Sequence, residues 1–208
     1  MKIFKRFIII ISLLILFIII SAISYASTVS ENIADSVFRL HVIANSDSEE
    51  DQNLKYIVRD SLLKYMNTLT SDITSKDSAI ELTKLHEDDF YAIAKKTIED
   101  NGYDYDVKIK IGNSYFPTKY YGDISLPAGF YDCLKVEIGN ASGQNWWCVM
   151  FPPLCFVDMS TGIVPDESKQ TIKETLADEE FAIISTSDNK NINFKFKLIE
   201  FLSSTQFK

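Results

Sequence analysis

The run of residues 146–158 restricts the fold of this chain more than any other segment, because it combines adjacent tryptophans, adjacent prolines and two cysteines. On an extended chain, neighbouring side chains point to opposite faces, so one of Trp146 and Trp147 enters a core while the other faces a partner or a covering loop. Pro152 and Pro153 remove two backbone donors and favour an extended exit from the strand. The run therefore predicts a strand that ends either in a packed sheet corner or in a recognition surface.

The N-terminus has the order of residues that is typical of an export signal. A basic leader precedes residues 7–23, which are apolar apart from two serines. A helix of about 17 residues reaches about 26 Å, a length that a locally thinned bilayer accepts. Small residues at positions 24 and 26 suit cleavage after Ala26. Residues 1–26 are therefore predicted to be a signal peptide or a retained anchor that enters the membrane through residues 7–23.

Residues 27–208 are predicted to form one extracytoplasmic domain, because the basic end of a leader stays inside and the remaining length suffices for one core. The whole chain carries 21 basic and 29 acidic side chains. Three of the basic ones lie in the leader, so the exported part is more acidic than the whole chain. This excess of acid argues against a nucleic-acid partner and against docking on anionic lipid.

The three cysteines form an odd set in a compartment where disulfides persist. Cys148 and Cys155 flank the proline pair and are the candidate disulfide, with Cys133 as a free thiol. The alternative is three buried thiols. A zinc site is not predicted, because the cysteines lack a second pair and the chain has only two histidines. No cofactor is predicted.

Hydrophobic periodicity after the leader predicts an α+β fold, with a mainly antiparallel sheet and two or three helices packed on it. The predicted helices are 48–67, 77–100 (with a break at 86–89) and 166–176. The predicted strands are 36–44, 103–111, 134–138, 144–151, 181–184 and 193–198. Gly139 and Gly143 bound the turn of a predicted hairpin formed by the third and fourth strands.

The first predicted strand has one wholly apolar face, and its other face carries Arg39 and His41. A polar turn follows, in which Ser46 and Glu49 fit a capping box at the start of the next helix. His41 is the natural candidate for a catalytic base, but no nucleophile elbow or zinc-protease motif accompanies it. We therefore predict a structural or binding role for His41 and no catalytic residues.

Several segments together form a rare composite that resembles the stage II sporulation protein R family of endospore-forming bacteria. The segments are 38–47, 51–52, 54–55, 58–60, 103–107, 116–119, 121–123, 126–129 and 146–158. The resemblance covers residues 36–160, is loose beyond 161, and leaves Cys133 as a residue peculiar to this chain.

The resemblance implies a non-catalytic signalling protein, secreted from the forespore into the intermembrane space. There it would activate a membrane-embedded aspartic protease of the mother cell, stage II sporulation protein GA, and so trigger processing of pro-sigma E. An exported cell-wall hydrolase that uses His41, or an anchored binding module, is the alternative. The partner contacts are expected on the first strand, the loop after it and the aromatic corner. The residues expected there are Arg39, His41, Asn45, Asp47, Trp146, Trp147, Pro152 and Pro153.

Overall fold

The computed structural model describes residues 2–69, 73, 75–154, 164 and 166–185. Helices and strands alternate in groups along this part of the chain, as an α+β fold requires. The helices are α1 Lys2–Ser36, α2 Glu49–Leu69, α3 Lys76–Leu85, α4 Glu87–Asp100, α5 Asp166–Thr175 and α6 Asp178–Ile184. The strands are β1 Phe38–Ile43, β2 Val107–Phe116, β3 Lys119–Tyr121, β4 Ile124–Leu126, β5 Gly129–Ile138 and β6 Asn145–Phe151.

The main sheet has four strands in the order β2-β5-β1-β6, and β3 pairs with β4 in a separate ribbon. The β1–β5 pair is parallel, while the β1–β6 and β2–β5 pairs are antiparallel. The predicted hairpin of β5 and β6 is therefore wrong, because β1 lies between these two strands. All six residues of β1 are buried, as expected of a strand that has neighbours on both edges and layers on both faces.

One face of the sheet packs against α2, α3 and α4. The apolar face that was predicted for the first strand lies here, with Phe38, Leu40 and Val42 fully buried. These side chains meet the apolar side of α2 and the buried residues Phe90 and Ile98 of α4 in one continuous core. Burial of this kind is the main favourable contribution to folding, at about 25 cal/mol per Å² of apolar surface.

The opposite face carries a second core that joins distant parts of the chain. Its buried residues come from the end of α1, the β3–β4 ribbon, the sheet, and helices α5 and α6. They are Ile33, Val37, Phe116, Ile124, Leu126, Tyr131, Cys133, Val149, Leu154, Val164, Ile172, Leu176 and Ile184. The sheet is therefore covered on both sides, and the mixed face of β1 is not a solvent face.

Helix α1 connects the apolar leader directly to this second core. It is long and apolar enough to cross a membrane and lies near the N-terminus, as a signal or anchor segment would. Its last turns belong to the folded domain: Ile33 is fully buried, and Asn32 donates a hydrogen bond from Nδ2 to Oε1 of Glu180 over 2.6 Å. Cleavage after Ala26 would leave these turns attached to the domain.

The docking of α1 predicts a difference between two conservative substitutions in the same helix. Ile33→Val removes one buried methylene group and is expected to cost about 1 kcal/mol of unfolding free energy. Ile19→Val, at a position that is half exposed, is expected to leave the unfolding free energy of the domain unchanged. Urea unfolding of the full chain in nonionic detergent, followed by tryptophan fluorescence, measures both. Equal effects of the two variants would show that the end of α1 does not pack on the domain.

The break that was predicted within the 77–100 helix is present at His86, which ends α3 and precedes α4, and the acidic residues 87–89 then start α4 favourably. Two further elements differ from the prediction. Strand β2 begins at Val107 rather than at 103. Residues 181–184 were predicted to be a strand but lie in α6, which begins with three acidic residues; Oε2 of Glu180 accepts a hydrogen bond from the Ala177 N–H. The predicted strand 193–198 lies outside the described residues.

Candidate functional site

Arg39 lies at the centre of the second core and has no exposed surface. Its Cζ atom is 4.1 Å from the centroid of the Phe116 ring and 4.7 Å from that of Tyr131. Phe116 is the last residue of β2 and Tyr131 lies in β5, the antiparallel neighbour of β2. Ring faces attract a guanidinium, most strongly where water is excluded.

The polar contacts of Arg39 are with neutral groups. Its Nη2 donates to the hydroxyl of Tyr121 over 2.6 Å, and its Nε donates to the carbonyl of Cys148 over 3.4 Å. Among the described residues, its Nη1 has no hydrogen-bond partner and no ion pair includes Arg39. The Tyr121 hydroxyl in turn donates a hydrogen bond to the carbonyl of Trp147 over 3.1 Å, so Tyr121 links Arg39 to β6. Arg39 is thus a buried cation that is held by rings and dipoles.

His41 lies two residues further along β1 on the same face and is 7% exposed. Its Nε2 is 2.7 Å from Oδ1 of Asn145, so Nε2 carries the proton and donates it. Its ring stacks on Trp147, with centroids 5.8 Å apart, and Phe116 covers another side at 5.6 Å. Burial lowers the pKa of His41, and the hydrogen bond to Asn145 only partly opposes this shift. His41 is therefore a neutral, shielded packing residue.

The lowered pKa of His41 predicts an acid-sensitive contribution to stability. The unfolded chain takes up a proton at His41 near pH 6.5, whereas the folded chain does so only at lower pH. His41 therefore does not reduce the free energy of unfolding well above pH 6.5, where it is neutral in both states. The free energy of unfolding falls as the pH drops from about 6.5 toward the pKa of the folded state, because only the unfolded chain then binds the proton. His41→Gln keeps an N–H donor but cannot titrate. We expect urea midpoints at about pH 7.5 and 5.5 to differ less in this variant than in the wild type; an unchanged difference would contradict the assignment.

The two tryptophans lie on opposite faces of β6, as their adjacency predicted. Trp147 belongs to the second core, between His41 and Lys119, whose Nζ is 4.2 Å from the indole ring. Trp146 belongs to the first core and meets Tyr56 edge to face at 5.4 Å. The Arg59 Cζ lies 4.4 Å from the Trp146 ring. Each tryptophan is thus half-buried and has a cation against its ring.

The polar loop, residues 44–48, holds the connection between β5 and β6. Oδ1 of Asn45 accepts a hydrogen bond from the Asn140 N–H over 2.9 Å, and its carbonyl accepts from the hydroxyl of Ser142 over 2.7 Å. Oδ1 of Asp47 accepts from the Gln144 N–H over 2.7 Å. Asn45 and Asp47, which were expected to contact a partner, therefore tie this loop to a turn that is about 95 residues away along the chain.

The same loop starts helix α2, although the predicted capping box is wrong. Ser48 caps the helix, because its Oγ accepts from the Asp51 N–H over 3.2 Å. The Ser46 hydroxyl instead donates to Oδ2 of Asp51, which also accepts from Nδ2 of Asn45 over 2.8 Å. Burial acts to raise the pKa of Asp51, but the hydrogen bonds from Ser46 and Asn45 outweigh it and the net pKa is lowered. A buried carboxylate thus fixes the geometry of the loop.

Lys55 completes this network from α2 and is 1% exposed. Its Nζ donates to the side-chain oxygen of Gln52 and to the carbonyl of Gln144, the latter over 3.2 Å. Burial, followed by the nearby charge of Arg59, lowers the pKa of Lys55. The sequence did not predict the burial of Lys55, because the residues around a lysine in a helix do not show whether its side chain is exposed or buried.

Two of the three cysteines lie among the described residues, and the pairing of Cys148 with Cys155 stays a prediction. Cys148 is disulfide-bonded, and Cys133 is a buried free thiol. Cys155 lies outside the described residues. Burial raises the pKa of the Cys133 thiol and so lowers its reactivity. At the corner itself the Phe151–Pro152 peptide bond is cis, with Pro152 buried and Pro153 half-buried.

The expected contact residues therefore divide into two groups. Arg39 and His41 on the mixed face of β1 are buried, and so is Pro152 after the end of β6, so none of the three is offered at the surface as expected. The burial of Arg39 and His41 involves Phe116 and Tyr121, which lie over β1 from β2 and β3 and carry no sequence signal for that role. Asn45, Asp47, Trp146, Trp147 and Pro153 retain at least partial exposure. Within the described ranges, no group of three or more His, Cys, Asp or Glu side chains is placed to hold a metal ion.

Comparison with known proteins gives a consistent set of similarities. A family model described as Stage II sporulation protein R (spore_II_R) matches residues 34–161. The chain is 38% identical over 183 residues to the curated protein "Stage II sporulation protein R" of Bacillus subtilis (strain 168), which covers 82% of each of the two chains. No solved structure matches the chain.

Proposed function

Because the chain belongs to the stage II sporulation protein R family, we propose that it is an exported sporulation signal that acts by docking rather than by catalysis. Its target would be the extracytoplasmic part of the membrane-embedded aspartic protease, stage II sporulation protein GA, of the mother cell. Binding would favour the active form of the protease and so start pro-sigma E processing. A ligand shifts such an equilibrium only by its difference in affinity for the two forms.

The single observation that carries the proposal is helix α1, within which an apolar leader continues without a break into the folded domain. Export through such a leader would place the domain in the space between forespore and mother cell, either released or anchored. The acidic composition suits a protein that stays off anionic lipid surfaces and meets a protein partner.

The alternative of a cell-wall hydrolase that uses His41 has weaker support. A general base must reach the proton that it removes from a substrate. His41 is enclosed by Phe116, Trp147 and Asn145, so a substrate reaches it only if this core opens.

Reconstitution in a host that does not sporulate tests the proposal. We expect cleavage of the sigma factor precursor when this chain, the protease and the precursor are produced together. A variant without residues 1–26 should stay in the cytosol and give no cleavage. Replacing residues 1–26 by an unrelated cleavable signal sequence should restore cleavage, because the proposal requires export and not the native leader. Full cleavage with the cytosolic variant would overturn the proposal.

A further inference from the structure

Strand β2 is one of the two outer strands of the main sheet, and no other strand among the described residues lies along its outer edge. It pairs with β5 over the ten residue pairs from Val107 to Phe116. A cleft of about 700 Å³ lies beside it and is lined by residues 109–114, by Lys84 and Glu87 where α3 meets α4, and by Lys135. An unpaired edge beside an open cleft is the geometry into which an extended peptide adds as a further strand.

Gly112 lies in the middle of this edge strand, and no contact among the described residues explains it. A Cβ atom built there meets no atom within 4 Å, and the backbone of Gly112 does not have the positive φ that favours glycine. Gly139 and Gly143 differ, because their added Cβ atoms would collide with Asn45 and Ser46. Glycine inside a strand weakens the strand and often marks a place where another backbone approaches closely. The open space beside Gly112 leaves room for such a backbone.

The cleft carries an excess of positive charge, which favours an acidic ligand. Lys84, Lys110 and Lys135 line it against one acidic residue, Glu87, in a chain with a net charge of −8. Lys135 is paired with Glu137 at 2.5 Å, which leaves Lys84 and Lys110 to attract an incoming carboxylate. Ile109 and Ile111 are half-buried at the same edge and offer apolar contacts between the charges.

We propose that this cleft binds an extended, acidic segment of a partner protein, which adds to β2 as a fifth strand of the main sheet. Main-chain hydrogen bonds supply affinity, and the lysines select glutamate or aspartate side chains at alternating positions. A second copy of the chain does not fit, since antiparallel pairing of two β2 strands would bring Lys108 and Lys110 of both copies together. The identification of the partner as the protease rests on the proposed function, whereas the binding site itself does not.

Binding of a defined probe tests the site. The probe is a peptide of about eight residues, the ordinary length of a strand, in which glutamate and valine alternate. The full chain in nonionic detergent should bind it, and should bind a lysine–valine peptide at least about tenfold more weakly. Lys110→Glu and Gly112→Val should each reduce binding of the glutamate peptide about tenfold or more. Lys64→Glu makes the same charge change at an exposed position of α2 and should leave the affinity unchanged.

Amide hydrogen exchange distinguishes strand addition from simple charge attraction. Bound peptide should slow exchange at alternate residues of β2, because only every second amide of an edge strand points outward. Unchanged exchange in β2, or equal losses of affinity with Lys64→Glu and Lys110→Glu, would overturn the proposal.

The reconstitution system separates this inference from the proposed function. Lys110→Glu and Gly112→Val should be exported normally and should abolish precursor cleavage. If both variants support normal cleavage, the cleft is not the contact with the protease, although the proposed function stands. If the wild-type chain supports no cleavage while the peptide still binds at β2, the proposed function fails and the binding site stands.

Discussion

Arg39→Ala is expected to lower the free energy of unfolding by about 3–5 kcal/mol, among the largest effects of any single substitution in this chain. The side chain has no exposed surface and fills the space between the rings of Phe116 and Tyr131. Alanine leaves that space empty, and it also leaves the Tyr121 hydroxyl without its buried donor. Urea unfolding of the full chain in nonionic detergent, followed by the fluorescence of Trp146 and Trp147, measures the loss.

Arg39→Met is the matched control, because methionine fills much of the same volume without a charge. A buried ion without a charged partner costs free energy, so its replacement by an apolar side chain of similar shape is often neutral or stabilising. We expect Arg39→Met to unfold within about 1 kcal/mol of the wild type. A loss as large as that of Arg39→Ala would show that the charge itself stabilises the fold. If Arg39→Met folds and is exported but fails in the reconstitution system, Arg39 has a role in signalling beyond packing.

Gly143→Ala is expected to cost about 3 kcal/mol, because the turn after β5 passes directly over the backbone of the polar loop. A Cβ atom at Gly143 would lie 2.1 Å from the carbonyl oxygen of Ser46 and 2.5 Å from its carbonyl carbon. These are backbone atoms that cannot rotate away, so the turn and the loop must separate. Separation strains the 3.0 Å bond from the Gly143 N–H to the Ala44 carbonyl and the bond between Asp47 and Gln144.

The control for Gly143→Ala is Gly112→Ala, the same change at a glycine with open space around it. Alanine is expected to be neutral there or to stabilise by less than about 1 kcal/mol, because it reduces the freedom of the unfolded chain. The two variants should therefore differ by about 3 kcal/mol in urea unfolding. If Gly143→Ala is as stable as Gly112→Ala, the polar loop and the turn do not pack as closely as described.

The elements whose patterns are local were predicted well from the sequence. Helix α2 follows from apolar residues at helical spacing, and α5 was predicted from its position after the proline at 165. The opposite orientations of Trp146 and Trp147 follow from the geometry of an extended chain, whatever the sheet around them. The apolar leader depends only on composition and length. Each of these properties is decided by residues within a few positions of one another.

The position of β1 in the sheet, and with it the role of Arg39 and His41, depends on contacts between distant residues. Alternation along β1 shows that one face is apolar, but it does not show what covers the other face. The cover comes from Phe116, Lys119 and Trp147, and β1 separates β5 from β6 although those two strands are joined by a short turn. Residues that read as an exposed polar face are buried for this reason. Periodicity reports the chemistry of a strand's own side chains, whereas burial depends on which other segments pack on them, and only the folded chain brings those segments together.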